Sequence, residues 1–112
     1  MDSLYQDWLN ARENARQAIA DIEEEGRRKA AAEADYYAAK SAAYARLLAE
    51  GNATAAGNMV KGDADVNAAL YAFRMAESRY KAAQSAASLF IDEEAHTYDQ
   101  YKRAMSGDSD RF

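Results

Sequence analysis

Gly51-Asn52-Ala53-Thr54-Ala55-Ala56-Gly57-Asn58-Met59-Val60-Lys61-Gly62-Asp63 decides the fold. This run holds three of the five glycines in a chain of 112 residues that has no proline; the other two are Gly26 and Gly107. Glycine and asparagine accept the left-handed backbone that closes a helix, and aspartate before a helix satisfies free N–H groups at its start. On both sides the chain is rich in alanine, the strongest helix former, with 28 alanines in all. The sequence therefore predicts one all-α domain over residues 1–112, a long antiparallel helical hairpin of coiled-coil type. Helix one covers about 3–50, the corner 51–62 and helix two about 63–106, with a short polar tail over 107–112.

The ends follow from local chemistry. Asp2 or Ser3 is the expected N-cap of helix one, and Gly51 its left-handed terminator. Asp63 is the expected N-cap of helix two, with Asp65 near the positive end of the helix dipole, and Gly107 closes that helix. Twelve residues are more than the shortest helix-to-helix connection needs, so a helical turn of its own is expected around Thr54–Asn58, with Met59 and Val60 folding back over the hairpin tip. Asn52-Ala53-Thr54 fits a glycosylation acceptor, but no secretory leader accompanies it and the match is read as incidental.

Steps of three and four trace the buried stripe of helix one through Leu4, Trp8, Ala11, Ala15, Ala18, Ile22, Lys29, Ala32, Tyr36, Ala39, Ala43 and Leu47. Gly26 falls in the single seven-residue gap and reads as a soft point, offset by the i,i+4 pairs Glu23–Arg27, Glu24–Arg28 and Glu25–Lys29. In helix two the stripe reads Val66, Leu70, Phe73, Glu77, Tyr80, Ala83, Ala87, Ile91, Glu94 or Ala95, Tyr98, Tyr101 and Met105. Folding back places Leu47 and Leu48 near Val66 and Leu70, Trp8 near Tyr101 and Met105, and the alanines of 30–43 opposite Ala76, Ala82-Ala83 and Ala86-Ala87. Two helices have no third layer, so each stripe keeps an open flank, and dimerisation into a four-helix bundle is the expected remedy.

Composition narrows the function. A net charge of −5 opposes generic binding to nucleic-acid phosphates. The absence of cysteine excludes disulfides, thiolate metal sites and a cysteine nucleophile. The acidic start Met1-Asp2-Ser3-Leu4-Tyr5 has no apolar run, so neither a leader nor a membrane span is expected, and the bacterial cytoplasm is the expected location.

Glu93 and His96 have the Glu-x-x-His spacing with which helical bundles hold di-iron sites. A full site needs a second such motif and further carboxylates, for which Glu13 and Glu23 to Glu25 are loose candidates; with one histidine in the chain, a histidine on the rim is the better reading. No phosphate-binding glycine loop, dinucleotide fingerprint or His-Glu-x-x-His motif occurs. The expectation is a protein that is not an enzyme, with no catalytic residue, metal or cofactor. Of its eight tyrosines, Tyr36, Tyr80, Tyr98 and Tyr101 fall on or near the stripes, while Tyr5, Tyr37, Tyr44 and Tyr71 are candidates for exposure. Trp8, Tyr37, Tyr44, Tyr71, Tyr98 and Tyr101 are the candidate interaction residues, and Gly51, Asn52, Thr54, Gly62 and Asp63 form the corner.

The segments Glu50-Gly51-Asn52-Ala53-Thr54 and Val60-Lys61-Gly62-Asp63-Ala64-Asp65-Val66, followed by Ala76-Glu77-Ser78-Arg79-Tyr80-Lys81, resemble a group of small alanine-rich helical proteins of bacteriophages and prophages. In that group an "EGxNAT" corner precedes "VKGDxxV", and the likeness covers about residues 35 to 90. The resemblance implies a phage origin near recombination or replication functions and assigns no catalytic residue. The resulting expectation is an interaction module with a phage or host protein partner, acting as an accessory scaffold. The alternative is an inhibitor of a host defence nuclease working through an acidic helical surface.

Overall fold

The computed structural model describes residues 2–51 and 53–110. Every regular element in it is helical: α1 spans Asp2–Glu50, α2 Ala53–Met59, a 3₁₀ turn Val60–Gly62, and α3 Ala64–Asp110. The chain divides into two compact units, Met1–Glu24 with Lys81–Phe112 and Glu25–Tyr80. We refer to them as the terminal unit and the corner unit.

In the terminal unit α1 contributes Leu4, Trp8, Ala11, Ala15, Ala18 and Ile22 to the covered face, and α3 contributes Ala83, Ala87, Glu94, Thr97, Tyr101 and Ala104. Trp8 meets Tyr98 at 5.1 Å between ring centroids, and Tyr5 meets Tyr101 at 5.3 Å, which makes the pairing antiparallel. Four of the buried residues are alanines: Ala11, Ala15, Ala18 and Ala87. Small side chains bring helix axes together, so the stabilisation comes from dense backbone contact rather than from large apolar groups. Ile91, Tyr98 and Met105, expected on the stripe, are 45%, 43% and 49% exposed. Buried Thr97 takes the inner place, its hydroxyl donating to the carbonyls of Glu93 (2.9 Å) and Glu94 (3.0 Å), which removes the cost of burying it.

In the corner unit the covered positions are Glu25, Lys29, Ala32, Tyr36, Ala39 and Ala43 on α1, and Val66, Ala69, Phe73, Ala76 and Tyr80 on α3. Tyr36 stacks on Phe73 at 6.1 Å, again antiparallel with the contact of Gly26 and Tyr80. Ala43, Val60 and Val66 form a buried cluster against which Tyr36, Ala39 and Leu47 pack. Ala43 thus packs with the valines of the corner and the start of α3 and not with an alanine of α3. Leu48 is 42% exposed and does not join Leu47. α1 runs through Gly26 as one continuous helix, as expected, and the glycine is partly covered beside Glu25, which completes the stripe between Ile22 and Lys29. Glu25 pairs with Arg28 (3.4 Å) and not with Lys29, whose ammonium lies 5.0 Å over the Tyr80 ring.

The corner carries the expected short helix, α2, and the plug is half as expected. Val60 is buried with Ala56, one turn before it, while Met59 is 58% exposed. Gly51 is not a left-handed terminator, since no glycine here has positive φ. Asn52 lies outside the described residues. Asp2 and Ser3 fall inside α1 instead of capping it, and α3 passes through Gly107 to Asp110, so the residues from 107 to 110 are helix and not tail. Asp63 caps α3 as expected: its Oδ1 accepts from the backbone N–H groups of Asp65 and Val66, both at 3.0 Å. No helix among the described residues is long and apolar enough to cross a membrane.

Candidate interaction site

At the open end of the terminal unit, four rings gather on two helices. Trp8 stacks on Tyr101 with centroids 5.9 Å apart and planes 8° from parallel, while Tyr98 and Tyr5 close in at the tilted contacts given above. The indole Nε1–H of Trp8 donates to Glu94 Oε1 at 3.1 Å, which satisfies its one donor and fixes its rotamer. The Arg12 guanidinium sits 5.9 Å over the Trp8 ring, one helical turn away. Tyr98, Tyr101, Lys102, Met105 and Ser106 line a cleft of about 330 Å³ beside the rings. Tyr5 and Tyr98 remain 43% exposed, so the cluster is a surface as well as a core.

The structure thus brings together three of the residues singled out from the sequence, Trp8, Tyr98 and Tyr101. It adds Tyr5, whose signal was its place one turn before Trp8.

A second cleft, of about 400 Å³, lies in the corner unit and is lined by Tyr37, Lys40, Ser41, Tyr44, Gly57 and Val60. Lys40 holds its ammonium 5.3 Å from the Tyr36 ring and 5.9 Å from Tyr37. Tyr37 and Tyr44 are 55% and 40% exposed, as expected, and Tyr71 is 69% exposed on α3 outside this cleft.

Of the corner residues, Thr54 and Gly62 are exposed and Asp63 is occupied structurally. The N–H of Val66 and the Arg46 side chain, with a further bond from the N–H of Asp65, hold the Asp63 carboxyl below its ordinary value. Arg46 is raised by the same pair, first through its hydrogen bond to Asp63.

Asp7, Asn10, Asn14, Glu93, Thr97 and Gln100 line a polar cleft with Phe90 on the other flank of the terminal unit. His96 is exposed, and no group of three metal-ligating side chains occurs among the described residues. What the aromatic site offers chemically is apolar contact, ring faces and two cations, the means of recognition by packing.

No family model, curated protein or solved structure matches this chain. The functional reading therefore rests on its residues.

Proposed function

We propose that this chain is a non-enzymatic protein-interaction module of phage or prophage origin, an accessory scaffold for phage recombination or replication that contacts a phage or host protein through a helical face. The observation that carries this reading is the half-exposed ring cluster of Tyr5, Trp8, Tyr98 and Tyr101. Large rigid aromatics give much contact area at low entropic cost, which is why they dominate interface energetics. The likeness of the corner to small phage proteins supports the origin. In this reading the module works in the bacterial cytoplasm without a cofactor, a membrane or direct contact with nucleic acid.

Self-association into a four-helix bundle belongs to the same proposal. Tyr71 and Met75, one turn apart on α3 and 69% and 40% exposed, supply the face for a second copy. The nuclease-inhibitor alternative has less support. A mimic of DNA needs a continuous strip of carboxylates, whereas Glu13, Glu25 and Asp99 each pair with an arginine on their own helix.

Affinity purification from phage-infected cells followed by mass spectrometry tests the reading. Recovery of a recombination or replication protein supports it, and recovery of a defence nuclease supports the alternative. Recovery of no partner by the well-expressed protein overturns both.

A further inference from the structure

Two rows of side chains beside the seam of the terminal unit repeat at intervals of seven. On α1 they are Tyr5, Arg12 and Ile19; on α3 they are Ile91, Tyr98 and Met105. Tyr5, Arg12, Ile19, Tyr98 and Met105 each follow a covered seam position by one residue, and Ile91 keeps the same register after Phe90. In an antiparallel pair such positions fall on the same flank. The contacts Tyr5–Tyr101 and Trp8–Tyr98 hold the two rows together. The five apolar members are each between 43% and 49% exposed, so this flank is a continuous half-covered apolar strip. The opposite flank, with Asp7, Asn10, Asn14, Glu93 and Gln100, is polar and suited to water.

The charges on the strip select its occupant. Arg12 lies over Trp8, and Lys102 borders the cleft of Tyr98, Tyr101 and Met105. Neither has an ion pair among the described residues, although the chain as a whole carries −5. The neighbouring carboxylates are engaged, Glu94 by the indole and Asp99 by Arg103 at 3.0 Å. We propose that this flank docks an amphipathic helix of a partner protein whose apolar face is bordered by Asp or Glu, the carboxylates meeting Arg12 and Lys102. This deepens the interaction reading above and rests on it.

A second copy is the wrong occupant here. Two-fold docking of this strip brings two sets of the same cations to one interface, and the rows themselves hold no carboxylate to meet them. Nucleic acid is the wrong occupant too, because two cations do not track a phosphate backbone.

Trp8 is the only tryptophan and reports on the site directly. Two synthetic helical peptides with the same leucine face, one bordered by glutamates and one by lysines, are titrated into the full chain while Trp8 emission is followed. The glutamate peptide is expected to saturate and to bind at least tenfold more tightly than the lysine peptide. The double variant Arg12→Glu, Lys102→Glu, checked for helicity by circular dichroism, reverses that preference.

Equal binding of both peptides, or of neither, overturns the proposal. So does a tighter saturable response to an oligothymidine strand, or a Trp8 shift that depends on protein concentration alone and marks a second copy. If wild type and double variant recover the same partner from infected cells, the interaction reading stands and this flank is not its site.

Discussion

The ring of Tyr80 lies against the backbone of Gly26, where a Cβ on the glycine would meet Cε2 at 3.4 Å. Gly26 is thus the smallest member of the α1 seam, and Tyr80, with Lys29 over its ring, fills the space that a side chain would take. Gly26→Ala trades a contact at the edge of ordinary van der Waals distance against a gain of roughly 1 kcal/mol in helix propensity. The ring is only half-buried and can yield. Gly26→Ala is expected to raise thermal stability by up to about 1 kcal/mol, while Gly26→Leu lowers it by displacing the ring. A loss on Gly26→Ala in denaturant melts would show that the ring cannot move.

Alanine packing gives the second prediction. Ala18 and Ala87 are 4% and 2% exposed in the terminal unit, and an added isobutyl group there has to part the helices. Ala18→Leu and Ala87→Leu are each expected to cost roughly 1–3 kcal/mol, whereas Ala31→Leu, on an exposed face, is near neutral. Equal effects at all three positions in urea melts would refute the close seam.

Acid should weaken the start of α3. Asp63 accepts from the N–H of Val66, from Arg46 and from the N–H of Asp65, so its folded pKa lies below that of the unfolded chain. A lowered carboxyl pKa contributes stability that is fully present above the unfolded value and is lost as pH falls through the folded value. The melting temperature of wild type is therefore expected to exceed that of Asp63→Asn near neutral pH, with the gap closing below about pH 4. A gap that widens on acidification would contradict the stabilising role of the ionised carboxylate and its Arg46 pair.

Much of this architecture was legible because a seam obeys counting. The α1 stripe from Leu4 to Leu47 follows alternate steps of three and four, and its members are covered in the structure. Gly26 was read as a soft point because a residue without a side chain gives no apolar signal; strict alternation from Ile22 lands on Glu25 beside it, and both are partly covered. In α3 the bulk of Ile91, Tyr98 and Met105 drew the stripe one position aside. Strict alternation from Tyr80 passes instead through Ala83, Ala87, Phe90, Glu94, Thr97, Tyr101 and Ala104, all of them covered except Phe90 at 40% exposure. That displacement is what leaves the apolar row on the flank. The Asp63 cap was readable from local chemistry, but its Arg46 partner, 17 residues earlier, has no local signature. Which tyrosines gather around Trp8 depended on the antiparallel register, which no single helix encodes.

The last prediction concerns the second copy. Tyr71 and Met75 present an apolar pair on the corner unit, and no described ring contact covers Tyr71. A symmetric partner applying the same pair buries both apolar groups, with exposed Arg74 next to Met75 on the same face. Light scattering at about 100 micromolar protein is expected to give twice the 12.4 kDa chain mass, with a melting temperature that rises with concentration. Tyr71→Glu with Met75→Glu should return the protein to a monomer, because four carboxylates across a two-fold interface repel and lose hydration. Arg12→Glu with Lys102→Glu should leave the dimer intact, since those residues lie in the other unit. A wild-type monomer at that concentration, with a melt independent of concentration, would remove the four-helix bundle. Loss of the dimer in the Arg12 and Lys102 variant alone would move the interface to the aromatic flank.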